Sequence, residues 1–228
     1  MKILYEDKYL LVCEKPIGVE SQVSSNGKED MITLLSRYRV EKGEDTYVGL
    51  VHRLDTMTGG VMIYSKREDM TGKLSALVQS GDYKKTYLAV IHGRPESNEG
   101  ELCDLLYHDK QNNKSFVVAK KRSGVKEALA NYRLVETVTR EAGDDISLVE
   151  VELITGRTHQ IRVQFASRKM PLVGDGKYGG KDNKATCALW SYKVEFTHPI
   201  MKKIVMLESF PPHDYPWNEF TIKKNEQK

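Results

Sequence analysis

The sequence predicts a strand-rich chain of mixed α and β structure. Three observations carry this. Short apolar runs recur along the whole length, several alternating with polar residues at the period of a half-buried strand. Helical spacing of apolar residues is confined to Glu29–Val40 and Met70–Val78, with one further helix start near Thr155–Thr158. No apolar run approaches the roughly 20 residues needed to span a bilayer.

Ile3-Leu4-Tyr5 and Tyr9-Leu10-Leu11-Val12-Cys13 read as strands around an Asp7-Lys8 turn. Lys15-Pro16-Ile17-Gly18 ends the second, because proline cannot donate to a ladder and glycine permits a tight bend. Met31, Leu34, Leu35 and Tyr38 form a helical stripe. His52-Arg53-Leu54-Asp55-Thr56-Met57-Thr58-Gly59-Gly60 lies between the apolar runs Val48–Val51 and Val61–Tyr64. A carboxylate on such a loop is held rigidly. Asp55 either caps its own loop, as Asp does in turns, or serves a site.

Ser65-Lys66-Arg67-Glu68 has the form of a capping box. Met70, Leu74, Leu77 and Val78 then mark a buried helical stripe, and Gly81 is a candidate C-cap. Lys84 to Ile91 follows as a strand with basic residues at its mouth and Tyr87 near its start, in a position that also suits an ordinary core tyrosine. Glu96 to Lys114 reads as polar and irregular apart from Leu102 to Tyr107. Phe116 to Val118 and Leu129 to Val138 read as weaker strands. Lys120-Lys121-Arg122 lies between them, as a solvated hairpin tip or a phosphate contact.

Val149, Val151 and Leu153 alternate with Glu150 and Glu152, a half-buried strand. It leads to Thr155-Gly156-Arg157-Thr158-His159-Gln160-Ile161-Arg162, where Thr155 or Thr158 would cap a helix. His159, Gln160 and Arg162 would sit on its first turns, where free N–H groups favour anions. Arg162 equally suits a surface salt bridge. Gly174, Gly176 and Gly179 match G-x-G-x-x-G, but late in the chain and with no helix pattern after them, so the segment is a rigid turn rather than a dinucleotide site. Ala188 to Phe196 alternates as an amphipathic strand, Ile204 to Leu207 forms the last strand, and the Lys223-Lys224 tail is expected to fray.

Composition narrows the class. The chain has 228 residues, 39% apolar and 29% charged, as in a soluble globular protein. The N-terminus lacks the apolar core of a signal peptide, so a cytoplasmic location is expected. Cys13, Cys103 and Cys187 are few and widely spaced, and no Cys-x-x-Cys or His-x-x-x-His pair occurs. The sequence therefore predicts reduced, mostly buried thiols and no metal site. A net charge of +3, from 35 basic and 32 acidic residues, allows a local basic face without demanding nucleic acid.

These residues, in this order, resemble the pseudouridine synthases of the RluA type. His52-Arg53-Leu54-Asp55 is similar to that family's signature around its catalytic aspartate. Lys85-x-Tyr87-x-Ala89-x-Ile91-x-Gly93 is similar to its tyrosine strand. Thr155 to Arg162 matches its third motif, and Gly174-Asp175 with Tyr178-Gly179 matches the segment after it. Leu4 to Asp7 and Lys15 to Gly18 fit its first strand and turn. The resemblance spans about residues 3 to 210. Two positions depart from it: Gly59 stands where the family usually has Ser, and Gln164 where it usually has His. Both mark a divergent branch and leave the nucleophile untouched.

The resemblance implies an α+β fold: a long mixed, mostly antiparallel sheet with surrounding helices and a central catalytic cleft. It implies a single catalytic domain over 1–228 with no separate N-terminal RNA-binding domain, no cofactor, no metal and no membrane partner; the sequence is silent on oligomeric state, for which a monomer is the default expectation. The implied reaction isomerises uridine in ribosomal or transfer RNA. Asp55 would be nucleophile or base, Tyr87 would pack on the uracil or help remove its C5 proton, and Arg162 would pair with Asp55. His52 and Arg53 would fill the vacated stack or hold the flanking phosphate. Arg157, His159, Gln160, Lys84 and Lys85 join the RNA-binding set, with Lys120, Lys121 and Arg122 as further backbone contacts. A glycoside or nucleoside hydrolase would instead need a second carboxylate facing Asp55, for which Asp82 and Asp175 are the candidates. An RNA-binding module without catalysis would rest on exposed aromatic platforms, and only 8% of the chain is aromatic.

Overall fold

The computed structural model describes residues 1–23 and 27–222, so the Lys223-Lys224 tail lies outside the described residues. The chain divides into two compact units, residues 1–85 with 191–209 and residues 86–190 with 210–228. The described residues form a large mixed sheet of eleven strands with three α-helices. None of the described helices is long and apolar enough to cross a membrane.

In the first unit, β1 (Lys2–Glu6) and β2 (Leu10–Lys15) form the expected antiparallel hairpin. Asp7 makes its turn by accepting from Tyr9 N at 2.7 Å and Leu10 N at 2.9 Å. The short β3 (Gly49–Leu50) and β2 both pair antiparallel with β4 (Gly59–Ser65). The paired parts of β10 (Leu189–Thr197) and β11 (Ile204–Glu208) form a second hairpin. Leu10, Val12, Val61 and Ile63 share a core with Val194, Phe196, and Met70 and Leu74 of α2 (Glu68–Ser80).

Helix α1 (Met31–Glu41) is capped by Asp30, whose side chain accepts from Thr33 N at 2.8 Å. Its inner stripe is Met31, Leu35 and Arg39, while Leu34 and Tyr38 are only half-buried. Arg39 is tolerated inside because its guanidinium donates to the carbonyls of Tyr47 and Lys66 and to Glu44. Helix α2 corrects the expected capping box. Ser65 is still in β4, its hydroxyl bonded to Thr71, and the helix starts after Arg67 with no side-chain cap. It ends as expected at Gly81, with φ of 89°.

The second unit contains most of β5 (Tyr83–His92), followed by β6 (Glu99–Asp109), β7 (Lys114–Val117), β8 (Val125–Thr139) and β9 (Asp145–Leu153). The ladders β9–β8, β8–β6 and β6–β7 are antiparallel. Strand β6 runs through much of the stretch that reads as irregular. Its ladder comes from β8, with partners 18 to 34 residues away, and Leu102 and Leu106 are buried with polar neighbours outward. Leu106 and Ala128 pack on Val163 of α3 (Gln160–Ser167). Neither Thr155 nor Thr158 caps that helix. His159 occupies the cap at φ 54°, because Thr155 is turned to Leu129 and Gln160. Residues 174–180 are consecutive turns, as expected. Cys13 and Cys187 are buried and Cys103 is exposed.

Candidate active site

Asp55 is half-buried on the loop between β3 and β4, and the loop is fixed through its main chain. The Ser21 hydroxyl donates to Leu54 O at 2.8 Å and accepts from Leu54 N at 3.0 Å. Gly18 N donates to Thr56 O at 2.8 Å, and Thr58 N to Asp55 O at 2.9 Å. Lys15 completes the frame. Its ammonium, fully buried, donates to Pro16 O at 2.9 Å, Val19 O at 2.6 Å and Thr56 O at 3.1 Å. Burial lowers its pKa to about 8, against the pull of the Asp55 charge. Lys15 thus ties the first turn to the Asp55 loop and sets a cation in the field of Asp55. Sequence reading missed it: a lysine before a proline looks like solvated turn charge. At the loop's exit Gly60 has φ of 112°, and a Cβ there would collide with the Ser191 backbone.

The other sequence-predicted residues of this unit divide by exposure. His52 Nε2 accepts from Ile63 N at 3.4 Å and lies 3.3 Å from Tyr83 OH. Burial first, then the Lys85 charge, holds its pKa at about 3. A neutral ring brings packing and one N–H donor rather than charge. Arg53 is exposed and reaches Gln22 Oε1 at 3.3 Å. Lys84 points outward, 3.5 Å from Glu195. Lys85, one residue on and therefore on the opposite face, is buried, which lowers its pKa.

In the second unit Tyr87 is buried in β5. Arg162 on α3 forms a two-pronged pair with Asp175, Nε to Oδ2 at 2.7 Å and Nη2 to Oδ1 at 2.8 Å. The side chains are 10% and 1% exposed, so this is no surface salt bridge. The guanidinium also lies 5.2 Å from the Tyr178 ring centre. Gly174 sets Asp175 in place at φ 75°, where a Cβ would strike the Thr186 carbonyl. Tyr178 OH accepts from Ser115 N at 2.8 Å and lies 2.9 Å from His159 Nδ1. Burial raises the Tyr178 pKa, so it keeps its proton for His159.

The Gln160 amide is engaged on both sides. Oε1 accepts from Thr155 Oγ1 at 2.8 Å and Arg157 N at 3.0 Å, and Nε2 donates to Leu129 O at 3.0 Å. It holds the loop. Arg157 is exposed, its Nε donating to Glu127 O at 2.8 Å. Gln164, the departure from the family pattern, is fully buried, its Nε2 donating to Leu102 O, Asp104 Oδ2 and Ala128 O.

The hydrolase reading loses its second carboxylate here. Both oxygens of Asp175 are taken by Arg162, and Asp82 is exposed on a turn, accepting from Ser80 Oγ at 2.7 Å.

A family model described as RNA pseudouridylate synthase matches residues 9–167. The chain is 32% identical over 216 residues to "Uncharacterized RNA pseudouridine synthase YhcT" of Bacillus subtilis, covering 94% of this chain and 70% of that protein. It is 32% identical to "Ribosomal large subunit pseudouridine synthase C" of Buchnera aphidicola, covering 98% of this chain and 70% of that one. Among solved structures it is similar to "Human RNA Pseudouridylate Synthase Domain Containing 1", with a TM-score of 0.75 at 22% identity over 92% of this chain and 83% of that chain. That likeness speaks to the fold, and the sequence matches speak to kinship. The chain belongs to the RNA pseudouridylate synthase family, in its RluA-type branch.

Proposed function

We propose that this RNA pseudouridine synthase uses Asp55 as its catalytic carboxylate on ribosomal or transfer RNA. The reaction breaks the bond from ribose C1′ to uracil N1 and forms one from C1′ to C5. One proton leaves C5 and one arrives at N1, so nothing is oxidised, reduced or hydrolysed, and no cofactor is consumed. Asp55 acts as nucleophile or base. The observation that carries this is the frame around it: a signature loop with its carbonyls held by Ser21, Gly18 and the buried Lys15. Such fixation orients the carboxylate through its main chain, and preorganisation of that kind is what a reacting group needs.

In the second unit we assign Tyr87 to the base and Arg162 as a fixed cation, as the family resemblance implies. The target must leave its stack, at a cost of a few kcal/mol. Arg53, exposed beside the nucleophile, fills the gap or holds the flanking phosphate. The chain works as one catalytic domain and a monomer. The test is nucleoside analysis of ribosomal and transfer RNA incubated with the protein. Pseudouridine gained in step with uridine lost is the expected result. Free uracil, or an unchanged RNA from every source, would contradict it.

A further inference from the structure

The stretch from Lys110 to Lys126 contains six basic residues and no acidic one, in a chain with 35 basic and 32 acidic residues overall. This segment is β7 with its two flanking turns, and its surface pairs charge with aromatic rings. Tyr107 of β6 stands directly across the ladder from Phe116 of β7, so both rings lie on one face of the sheet. Phe116 is 42% exposed, an unusual position for a large aromatic side chain. Lys114 Nζ lies 5.7 Å from the Phe116 ring centre, and the Arg122 guanidinium 5.2 Å from that of Tyr107. Gly124, at φ 80°, lets the second turn pass over the Tyr107 ring. The order of strands leaves β7 at the end of its ladder, paired with β6.

We propose that this face is a docking platform for an unpaired segment of RNA. Bases stack on Phe116 and on the guanidinium plane of Arg122, while Lys120 and Lys121 hold the phosphates, Lys121 giving up its exposed contact with Glu127 at 3.0 Å. The charge argues for the occupant. Six cations, of which only Lys121 meets an acid (Glu127) among the described residues, suit a polyanion, and flat rings interleaved with them suit one that offers π-faces. A protein partner with an acidic surface would use the same cations but would have no call for the stacked pairs. The proposal rests on the isomerase reading for the identity of the RNA, but not for the binding itself, so the two can fail separately.

The experiment measures binding of a fluorescent single-stranded oligouridine to the full chain carrying Asp55→Asn, where turnover cannot interfere. It compares Phe116→Ala, Phe116→Trp, Arg122→Ala and the double variant Lys120→Ala/Lys121→Ala, with melting curves to show that each is folded. Phe116→Ala should weaken binding about tenfold, as loss of one stacked base does, and Phe116→Trp should restore it. The double lysine variant should flatten the slope of log affinity against log salt by about 1.4, or roughly 0.7 per phosphate contact. Unchanged affinity in Phe116→Ala and Arg122→Ala overturns the platform. So does a loss confined to the lysine variant, which would mean a charged surface without stacking. Tritium release by the parent protein, run in parallel on cellular RNA, reports on the isomerase reading alone.

Discussion

Asp55 and Arg162 are both charged groups held in place, one on a loop fixed by its carbonyls and one on a helix with a carboxylate partner. Asp55 is positioned through its backbone, with carbonyls on either side of it accepting from Ser21 and Lys15. Arg162 is positioned through its own head group, which lies two-pronged on the buried Asp175. Fixing the loop carbonyls orients the Asp55 side chain, whatever its own oxygens meet. A cation can keep a permanent partner and still act through its field. Each region also spends a glycine on the same problem, Gly60 after the Asp55 loop and Gly174 before Asp175, both with positive φ against the backbone of another segment.

The largest effects should come at those glycines. Gly60→Ala and Gly174→Ala each force a Cβ into a main chain that cannot yield, and should cost about 4 kcal/mol or more, read as loss of a cooperative melt. Arg162→Ala strands a buried carboxylate and should cost on the order of 3–5 kcal/mol together with activity. An unchanged melting temperature would break the contrast, because it would mean that the pair is not what holds this region. Lys15→Met leaves buried carbonyls without a donor and should cost about 3 kcal/mol. Its loss should also loosen the Asp55 loop, seen as faster hydrogen exchange at Leu54 and Thr58.

The pH dependence separates holding from chemistry. Lys15 titrates at about 8 in the folded protein and at about 10.5 unfolded. Between these values the unfolded chain binds more protons, so this group makes the fold more stable as pH rises. Activity should fall over the same range, because the cation beside Asp55 disappears. Parallel loss of both would argue against Lys15 as the source. On the acid side, His52 at about 3 is far below its unfolded value. Its contribution is present above pH 6.5 and lost as pH falls from there towards 3, by the same reasoning. A His52→Gln variant should show a shallower acid limb of stability. The smallest effect belongs to Arg53→Ala. Being exposed, it should change melting by less than about 0.5 kcal/mol while weakening RNA modification.

The elements set by local pattern were legible in the sequence. The β1–β2 hairpin follows from alternation and an Asp turn, α2 from its Met70 and Leu74 stripe, and the 174–180 turns from glycine placement. What escaped depends on distant partners. Strand β6 looks irregular until β8 supplies its ladder. Arg39 looks like a surface residue until Glu44 and two carbonyls receive it. Ser65 looks like a cap until β4 extends through it. In the site, the motif residues were legible because their types and order carry the family resemblance. The surroundings that give them roles were not. Nothing local marks Lys15 as buried, His52 as neutral or Gln160 as fully engaged, and Arg162 meets Asp175 only through a turn 13 residues on.

The central claim is that Asp55 does the chemistry, and tritium release from cellular RNA labelled at uridine C5 tests it most directly. Wild-type protein and Asp55→Asn would be compared at matched melting temperature. The account predicts release by the wild type and a loss of at least about 1,000-fold in the variant, as expected when an essential reacting group is removed. Comparable release from both would contradict it and move the catalytic role to another residue.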